Sequence, residues 1–374
     1  MFNERIKVRS GVSRVQLAKE AVREVYSKIY QEDMNVVIFF CSSNYDLESL
    51  AKTLKKTFNC PLIGCTTSGE ISSEGFSNNS LTAASISSEE MNIISHVIKS
   101  LDKFQINDFS DYYKNRLKFA KEFDPGKMFG FLLIDGLSVM EEQVIESLHN
   151  MFNKIPIIGG SAGDDLKFVE TMVYSDGEFI SNAALFTIFE TTLPFHIFKT
   201  QHIVPTETKL KITKADSERR IVYEINTKPA AKEYAELLSI ELDKLNFDVF
   251  AKYPLILNIS GLWYVRSIQK INPDGSLSFF CAIDEGLELN IAKSVGLIDN
   301  LNTTLNQLNN IIENPKLIIG CDCILRRLEI EALKTIPEIN KLLSNFNFIG
   351  FHTYGEQYNS MHVNQTLTGV AFGS

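Results

Sequence analysis

The residues best equipped for chemistry in this 374-residue chain sit in glycine-containing segments that follow short apolar runs. Gly64-Cys65-Thr66-Thr67-Ser68-Gly69-Glu70 gathers a thiol, hydroxyls, backbone amides freed by glycine and a carboxylate. That set suits a small polar ligand such as an amino acid, with amide N–H groups taking its carboxylate and Glu70 its ammonium. The structural alternative is that Thr66, Thr67 and Ser68 satisfy a turn while Glu70 caps the next segment. Asp164 and Asp165 close a second such segment, Gly159-Gly160-Ser161-Ala162-Gly163-Asp164-Asp165. Paired carboxylates suit a cation, a ligand amine or acid–base work. No third carboxylate or histidine stands at ligand spacing, so a metal is disfavoured and capping is the competing reading.

Arg266 lies in an otherwise apolar run. A buried guanidinium is costly unless paired, and its planar fork matches a carboxylate. It reads either as a ligand anchor or as the partner of Asp284, Glu285 or Glu356, and Arg326 has the same two readings. Glu356 and His362 flank a short loop with Asn364 and Thr366 just beyond. A binding edge explains that concentration, and so does a hydrogen-bonded network locking a terminal strand. Catalysis is not expected. Cys65 or Cys321 as nucleophile needs a neighbouring base, and neither a Gly-x-Ser-x-Gly elbow nor a phosphate loop is present.

The elements that must position these groups follow a pattern used three times. Val36-Val37-Ile38-Phe39-Phe40-Cys41 reads as a buried strand, Asp46 as an N-cap, and Leu47, Leu50, Leu54 and Phe58 as a helical stripe. Leu62-Ile63 then reads as a second strand. The plan returns at 129–165, where Ser138 and Glu141 suggest a capping box, and again at 317–356. Each copy carries an Ile-Gly step, and each is followed by a further strand-like run, at 81–87, 183–189 and 367–372. Repeated β-α-β units imply parallel pairs, with ligands at their carboxyl edge. The expected fold class is α/β to α+β, with mixed sheets, extra antiparallel strands and two domains. A helix capped at Ser13 is expected within 1–29, a first domain over 30–215 and a second over 216–374. The polar segment 201–220, which contains Pro205, is the best boundary. The tetrapeptide Asn272-Pro273-Asp274-Gly275 predicts a hairpin.

A formal charge of −9, from 37 basic and 46 acidic residues, argues against a nucleic-acid surface. The N-terminus lacks a secretory pattern, no run reaches bilayer length, and six cysteines are few. A soluble cytoplasmic protein is expected.

The order of Gly64-Cys65-Thr66-Thr67-Ser68-Gly69-Glu70, Gly159-Gly160-Ser161-Ala162-Gly163-Asp164-Asp165, Val265-Arg266, Asp284-Glu285-Gly286, Tyr354-Gly355-Glu356-Gln357 and His362-Val363-Asn364-Gln365-Thr366-Leu367-Thr368 resembles the FIST family. The first two motifs match its N-terminal domain and the others its C-terminal domain, over roughly residues 30 to 372. The resemblance implies a sensory module that binds a small ligand, with amino acids proposed. It acts on a separate partner such as a histidine kinase, a diguanylate cyclase or other cyclic-dinucleotide enzyme, or a chemoreceptor. Some members bind haem and respond to nitric oxide, which makes His362 and His352 the axial candidates here. A homodimer stays open.

Overall fold

The computed structural model of the chain describes residues 5–104, 109–119, 124–152 and 155–374. Each repeat forms the expected parallel pair: Val36–Ser42 beside Leu62–Thr67, Met128–Ile134 beside Ile157–Ser161, and Leu317–Cys323 beside Phe348–Thr353. The second strand of each pair runs further than the apolar run alone suggests. It passes through the Ile-Gly step and takes in Thr66-Thr67, Ser161 and His352-Thr353. These polar residues alternate above and below a buried sheet rather than lining an open loop.

Each pair lies at the centre of a six-stranded mixed sheet, and all three sheets have the same order. An outer strand (Lys7–Ser13, Met91–Lys99 or Phe195–Gln201) pairs antiparallel with the run that follows the repeat (Leu81–Ser87, Ala183–Thr191 or Thr366–Phe372). That run pairs antiparallel with the first strand of the parallel pair. Beyond the second strand lies a short hairpin, and this hairpin always comes from another repeat. Glu70–Ser72 and Gly75–Ser77 join the third repeat's sheet, Val173–Ser175 and Glu178–Ile180 the first's, and Glu356–Tyr358 and Met361–Val363 the second's. The exchange closes a ring, so one chain builds a body with approximate threefold symmetry. Asn79, Asn182 and Gln365, the residues that return each chain segment from its hairpin, share the left-handed conformation at φ 50°, 47° and 52°.

Period-two alternation divides each central strand between two cores. Ile38 and Phe40, Phe129, Phe131 and Leu133, and Ile319 and Cys321 meet in one common core inside the ring. Phe40 of the first repeat stacks on Phe351 of the third, centroids 4.5 Å apart, an aromatic contact of about 0.5–1.5 kcal/mol beyond its buried area. The other faces are covered by helices. Ala18–Ile29 and Leu47–Thr57 cover Val37, Phe39 and Cys41, Glu141–Met151 covers Leu132 and Ile134, and Leu297–Ile312 with Ile336–Leu343 covers Ile318. Burial on both faces is why these strands read as continuous apolar runs.

The Ile-Gly step has a steric cause. A Cβ at Gly64, Gly159 or Gly350 would stand 2.6, 1.9 or 2.2 Å from the carbonyl oxygen of Phe39, Leu132 or Gly320 on the adjacent parallel strand. Gly159→Ala is therefore expected to destabilise the protein by about 3 kcal/mol. Urea denaturation beside Gly126→Ala, whose nearest neighbour is a side-chain oxygen, provides the check.

Between the outer strand Phe195–Gln201 and the helix Leu297–Ile312, the third repeat carries an eight-stranded sheet with its own core around Ile212, Tyr234, Leu255 and Leu289. The stretch expected as a boundary is its first strand, Ile203–Asp216, with the ladder shifting register between Pro205 and Lys209. The expected hairpin is present as Ile268–Ile271 against Leu277–Phe279. Two capping expectations fail. Ser13 ends a strand and its hydroxyl donates to Glu24, while Ser138 donates to the Asp135 carbonyl and Glu141 ion-pairs with Arg220 instead of closing a box. Asp46 does cap its helix, accepting from the Ser49 amide.

Candidate functional site between the inserted sheet and the ring

The polar residues of the first and third repeats form matching internal staples. Thr67 Oγ1 donates to Glu70 Oε1, and the Ser80 amide and hydroxyl donate to Glu70 Oε2, at 2.5, 3.1 and 2.5 Å. Thr353 Oγ1 likewise meets Glu356 Oε1, and the Thr366 amide and hydroxyl meet Glu356 Oε2, at 2.6, 3.1 and 2.8 Å. Each fully buried carboxyl thus ties its loop to the start of the returning strand. Burial pushes Glu70 up to about 7 against the bonds from Ser80 and Thr67, and Glu356 up to about 8 against those from Thr353 and Thr366. Thr66 exchanges bonds with the backbone of Met172 and so holds the second repeat's hairpin. Cys65 lies in the common core, its thiol pushed well up by burial.

Asp164 accepts from the amides of Phe168, Val169 and Glu170 and from the Tyr354 hydroxyl, which folds its own loop. Asp165 accepts from the hydroxyls of Ser42 and Ser43. It lines a polar surface cavity of about 250 Å³ with Ser68, Asn78 and Arg327. Arg327 is committed to Glu331, the Ser68 carbonyl and Asn78. Arg326 is wholly enclosed and its charge is paired with a carboxylate, although one Nη has no hydrogen-bond partner among the described residues. Its Nε donates to Asp322 at 2.5 Å and an Nη to His202 Nδ1 at 2.8 Å. A guanidinium can only donate, so His202 carries its proton on Nε2 and passes it toward Glu329, 2.8 Å away.

Arg266 differs from both. It is 8% exposed at the end of the strand Leu262–Arg266, and among the described residues no carboxylate comes within salt-bridge reach of it. Asp284, Glu285 and Glu356 are not its partners. One Nη donates to the neighbouring Val265 carbonyl at 3.2 Å, and Nε has no hydrogen-bond partner. The surroundings are built by the seam where the inserted sheet meets the third repeat's hairpin. His362 Nδ1 accepts from Gln357 Nε2 at 3.1 Å and its Nε2 donates to the Phe280 carbonyl at 3.3 Å. The Phe280 amide in turn donates to the carbonyl of Ser267, next to Arg266. Asn364 packs on the same Gly355 as His362. The side-chain oxygens of Ser267, Gln357, Asn364 and Gln365 are buried there without a partner. Burial pushes the Cys281 thiol up to about 11, with nearby Arg266 and Arg220 opposing and Glu142 adding to it. Beside it Arg220 bridges Glu141 and Glu142, while Glu142 also accepts from the Ala282 amide at 2.6 Å. This ion cluster pins the inserted sheet to the ring.

Of the residues expected to form the site, the seam brings together Arg266, His362 and Asn364. Cys65, Thr66, Thr67, Glu70 and Glu356 lie inside the ring, Ser68 and Asp165 at the separate polar cavity, and Arg326 in the His202 network. Sequence reasoning missed Gln357, Ser267, Arg220 and the Glu141-Glu142 pair. Gln357 stands within a motif already singled out and Ser267 directly follows Arg266, whereas Arg220 meets Glu141 and Glu142 across separations of 79 and 78 residues.

Haem does not fit the two axial candidates. Both nitrogens of His362 are engaged by protein, leaving no lone pair for iron. His352 has no hydrogen-bond partner on either ring nitrogen among the described residues, but it is fully enclosed, its ring edge-on to Phe76 at 4.5 Å, which leaves no access for a porphyrin.

Family models for a FIST N domain and a FIST C domain match residues 35–228 and 230–359. The chain belongs to the FIST family. FIST domains are associated with sensory signal transduction. The junction of the two matched domains falls at the short strand Lys228–Pro229, so the inserted sheet is shared between FIST N and FIST C. An uncharacterised protein of Methanocaldococcus jannaschii is 26% identical over 298 residues, 69% of this chain and 56% of the relative. The chain therefore spans little more than half the length of that curated relative. Among the described residues, no helix is long and apolar enough to cross a membrane.

Proposed function

We propose that this FIST protein is a cytoplasmic sensor that binds a small anionic or zwitterionic metabolite, such as an amino acid, at the Arg266 seam and passes the signal to a separate partner. A histidine kinase, a diguanylate cyclase or a chemoreceptor is the partner class that the family suggests. The observation that carries this reading is a buried guanidinium that meets no carboxylate among the described residues, beside four buried oxygens without donors among them. An uncompensated buried charge is costly, and an incoming acid group supplies the missing partner. Ser267, Asn364, Gln357 and Gln365 can accept from an ammonium or hydroxyl on the same ligand. Binding without turnover is favoured because the Cys65, Cys321 and Cys323 thiols are fully buried and pushed well up by it. The six free cysteines accord with a reducing compartment.

Thermal-shift screening with amino acids and organic acids tests the reading. A true ligand at 100 times its Kd adds about 2.7 kcal/mol of stability. Lack of any stabiliser across such a panel rejects an anion site at Arg266. Hemin is expected to leave the protein without a Soret band characteristic of His ligation.

A further inference from the structure

A second cation faces the same seam without an acid partner. Lys199, on the outer strand Phe195–Gln201, shares its face with Phe195 and Ile197, which pack toward the common core. Its Nζ lies 4.9 Å from the ring centroid of Tyr264 and 5.8 Å from that of Tyr358. Among the described residues it has neither a hydrogen bond nor a carboxylate within salt-bridge reach, and burial lowers its pKa. Tyr264 belongs to the inserted sheet and Tyr358 to the hairpin that also carries His362, so Lys199 occupies the same junction as Arg266. On the strand Leu262–Arg266, Val265 points into a small apolar core with Ile203 and Ile256. Tyr264 and Arg266, its neighbours on either side, therefore share the opposite face, about 7 Å apart along the strand. The strand brings the ring under Lys199 next to Arg266.

We propose that the ligand of this seam is a small organic dianion, with one acid group on Arg266, the other on Lys199 and its carbon chain along the Tyr264 and Tyr358 rings. The proposal rests on the reading of the seam as the ligand site. One buried and one half-buried cation with aromatic walls favour a doubly charged molecule over a single anion. The two cations stand on different strands, one over the Tyr264 ring and the other two residues further along that strand, which favours two separate acid groups over one compact anion.

Calorimetric titration of the full chain with succinate, glutarate, butyrate and inorganic phosphate tests this. Expected are dicarboxylates binding at least tenfold more tightly than butyrate. Lys199→Gln should reduce the dicarboxylates to the butyrate level without changing butyrate itself, Lys199→Arg should restore the preference, and Arg266→Met should abolish binding of both. Circular dichroism confirms that each variant is folded. Equal affinities for mono- and dicarboxylates, unchanged dicarboxylate binding in Lys199→Gln, or tighter binding of phosphate than of either dicarboxylate overturns the two-point ligand while leaving the Arg266 site standing. Failure of all four probes, with Arg266→Met indistinguishable from wild type, removes the site and the dianion together.

Discussion

Replacing Arg266 by methionine is expected to leave the ligand-free protein as stable as the wild type, or more stable, while abolishing its stabilisation by anions. Truncating one member of a buried ion pair normally strands the other charge and costs about 3–5 kcal/mol. Among the described residues Arg266 has no such partner to strand, and the one side-chain hydrogen bond it makes there is a 3.2 Å contact with the adjacent Val265 carbonyl. Methionine fills much the same volume with a flexible apolar chain. Removing an unpaired charge from a site that is 8% exposed relieves desolvation, and a gain of about 1–2 kcal/mol is reasonable by analogy with apolar replacements of buried charges. The urea midpoint, at constant slope, gives the stability, and a thermal-shift series gives the ligand response. A loss of more than about 2 kcal/mol in the ligand-free variant would make Arg266 a structural residue. The control is Arg220→Met, which breaks the bridge to Glu141 and Glu142 and should destabilise strongly.

The paired staples give the second large effect. Glu70 at about 7 and Glu356 at about 8 both stand above the 4.5 of an ordinary glutamate. Between pH 4.5 and 8 the folded protein therefore holds more protons at these sites than the unfolded chain. Their contribution is complete below pH 4.5 and is lost as pH rises through 7 to 8, on the order of 3 kcal/mol for Glu70 and 5 kcal/mol for Glu356. His202, His352 and His362, lowered by burial, work in the opposite sense, with stability present above the ordinary histidine range and lost as pH falls. The double variant Glu70→Gln/Glu356→Gln separates the two. Glutamine keeps an acceptor for Ser80 and Thr366 and offers an NH₂ to the threonine hydroxyls. Relative to wild type, the variant should gain several kcal/mol between pH 5 and 9. Parallel stability curves for the two proteins would mean that both carboxyls are ionised in the fold.

How much of this could be read from the chain alone differs from element to element. Three copies of strand, helix, strand and returning strand are visible because burial on both faces makes each central strand a continuous apolar run. Asp46 declares a helix start because its side chain caps locally. The steric need behind the Ile-Gly step also repeats, since each second strand packs against a carbonyl of the first. The polar stretch beginning at Ile203 misleads because that strand has one face on solvent, so its alternation resembles a linker. Ser13 and Ser138 mislead because the carboxylates they use, or fail to use, are claimed by other elements.

The functional residues divide along the same line. That Arg266 is out of place in an apolar strand, and that Glu70 and Glu356 occupy equivalent positions after an Ile-Gly step, follows from residue type and spacing alone. Whether such a charge is answered is a property of three-dimensional neighbours. Arg326 meets Asp322 one helical turn away and His202 from a distant segment, whereas Arg266 meets no acid among the described residues. The exchange of hairpins around the ring and the seating of the inserted sheet decide this. Both depend on long-range packing that brings Lys199, Tyr264, Arg266, Tyr358 and His362 to one seam, although they are spread over more than 160 residues of chain.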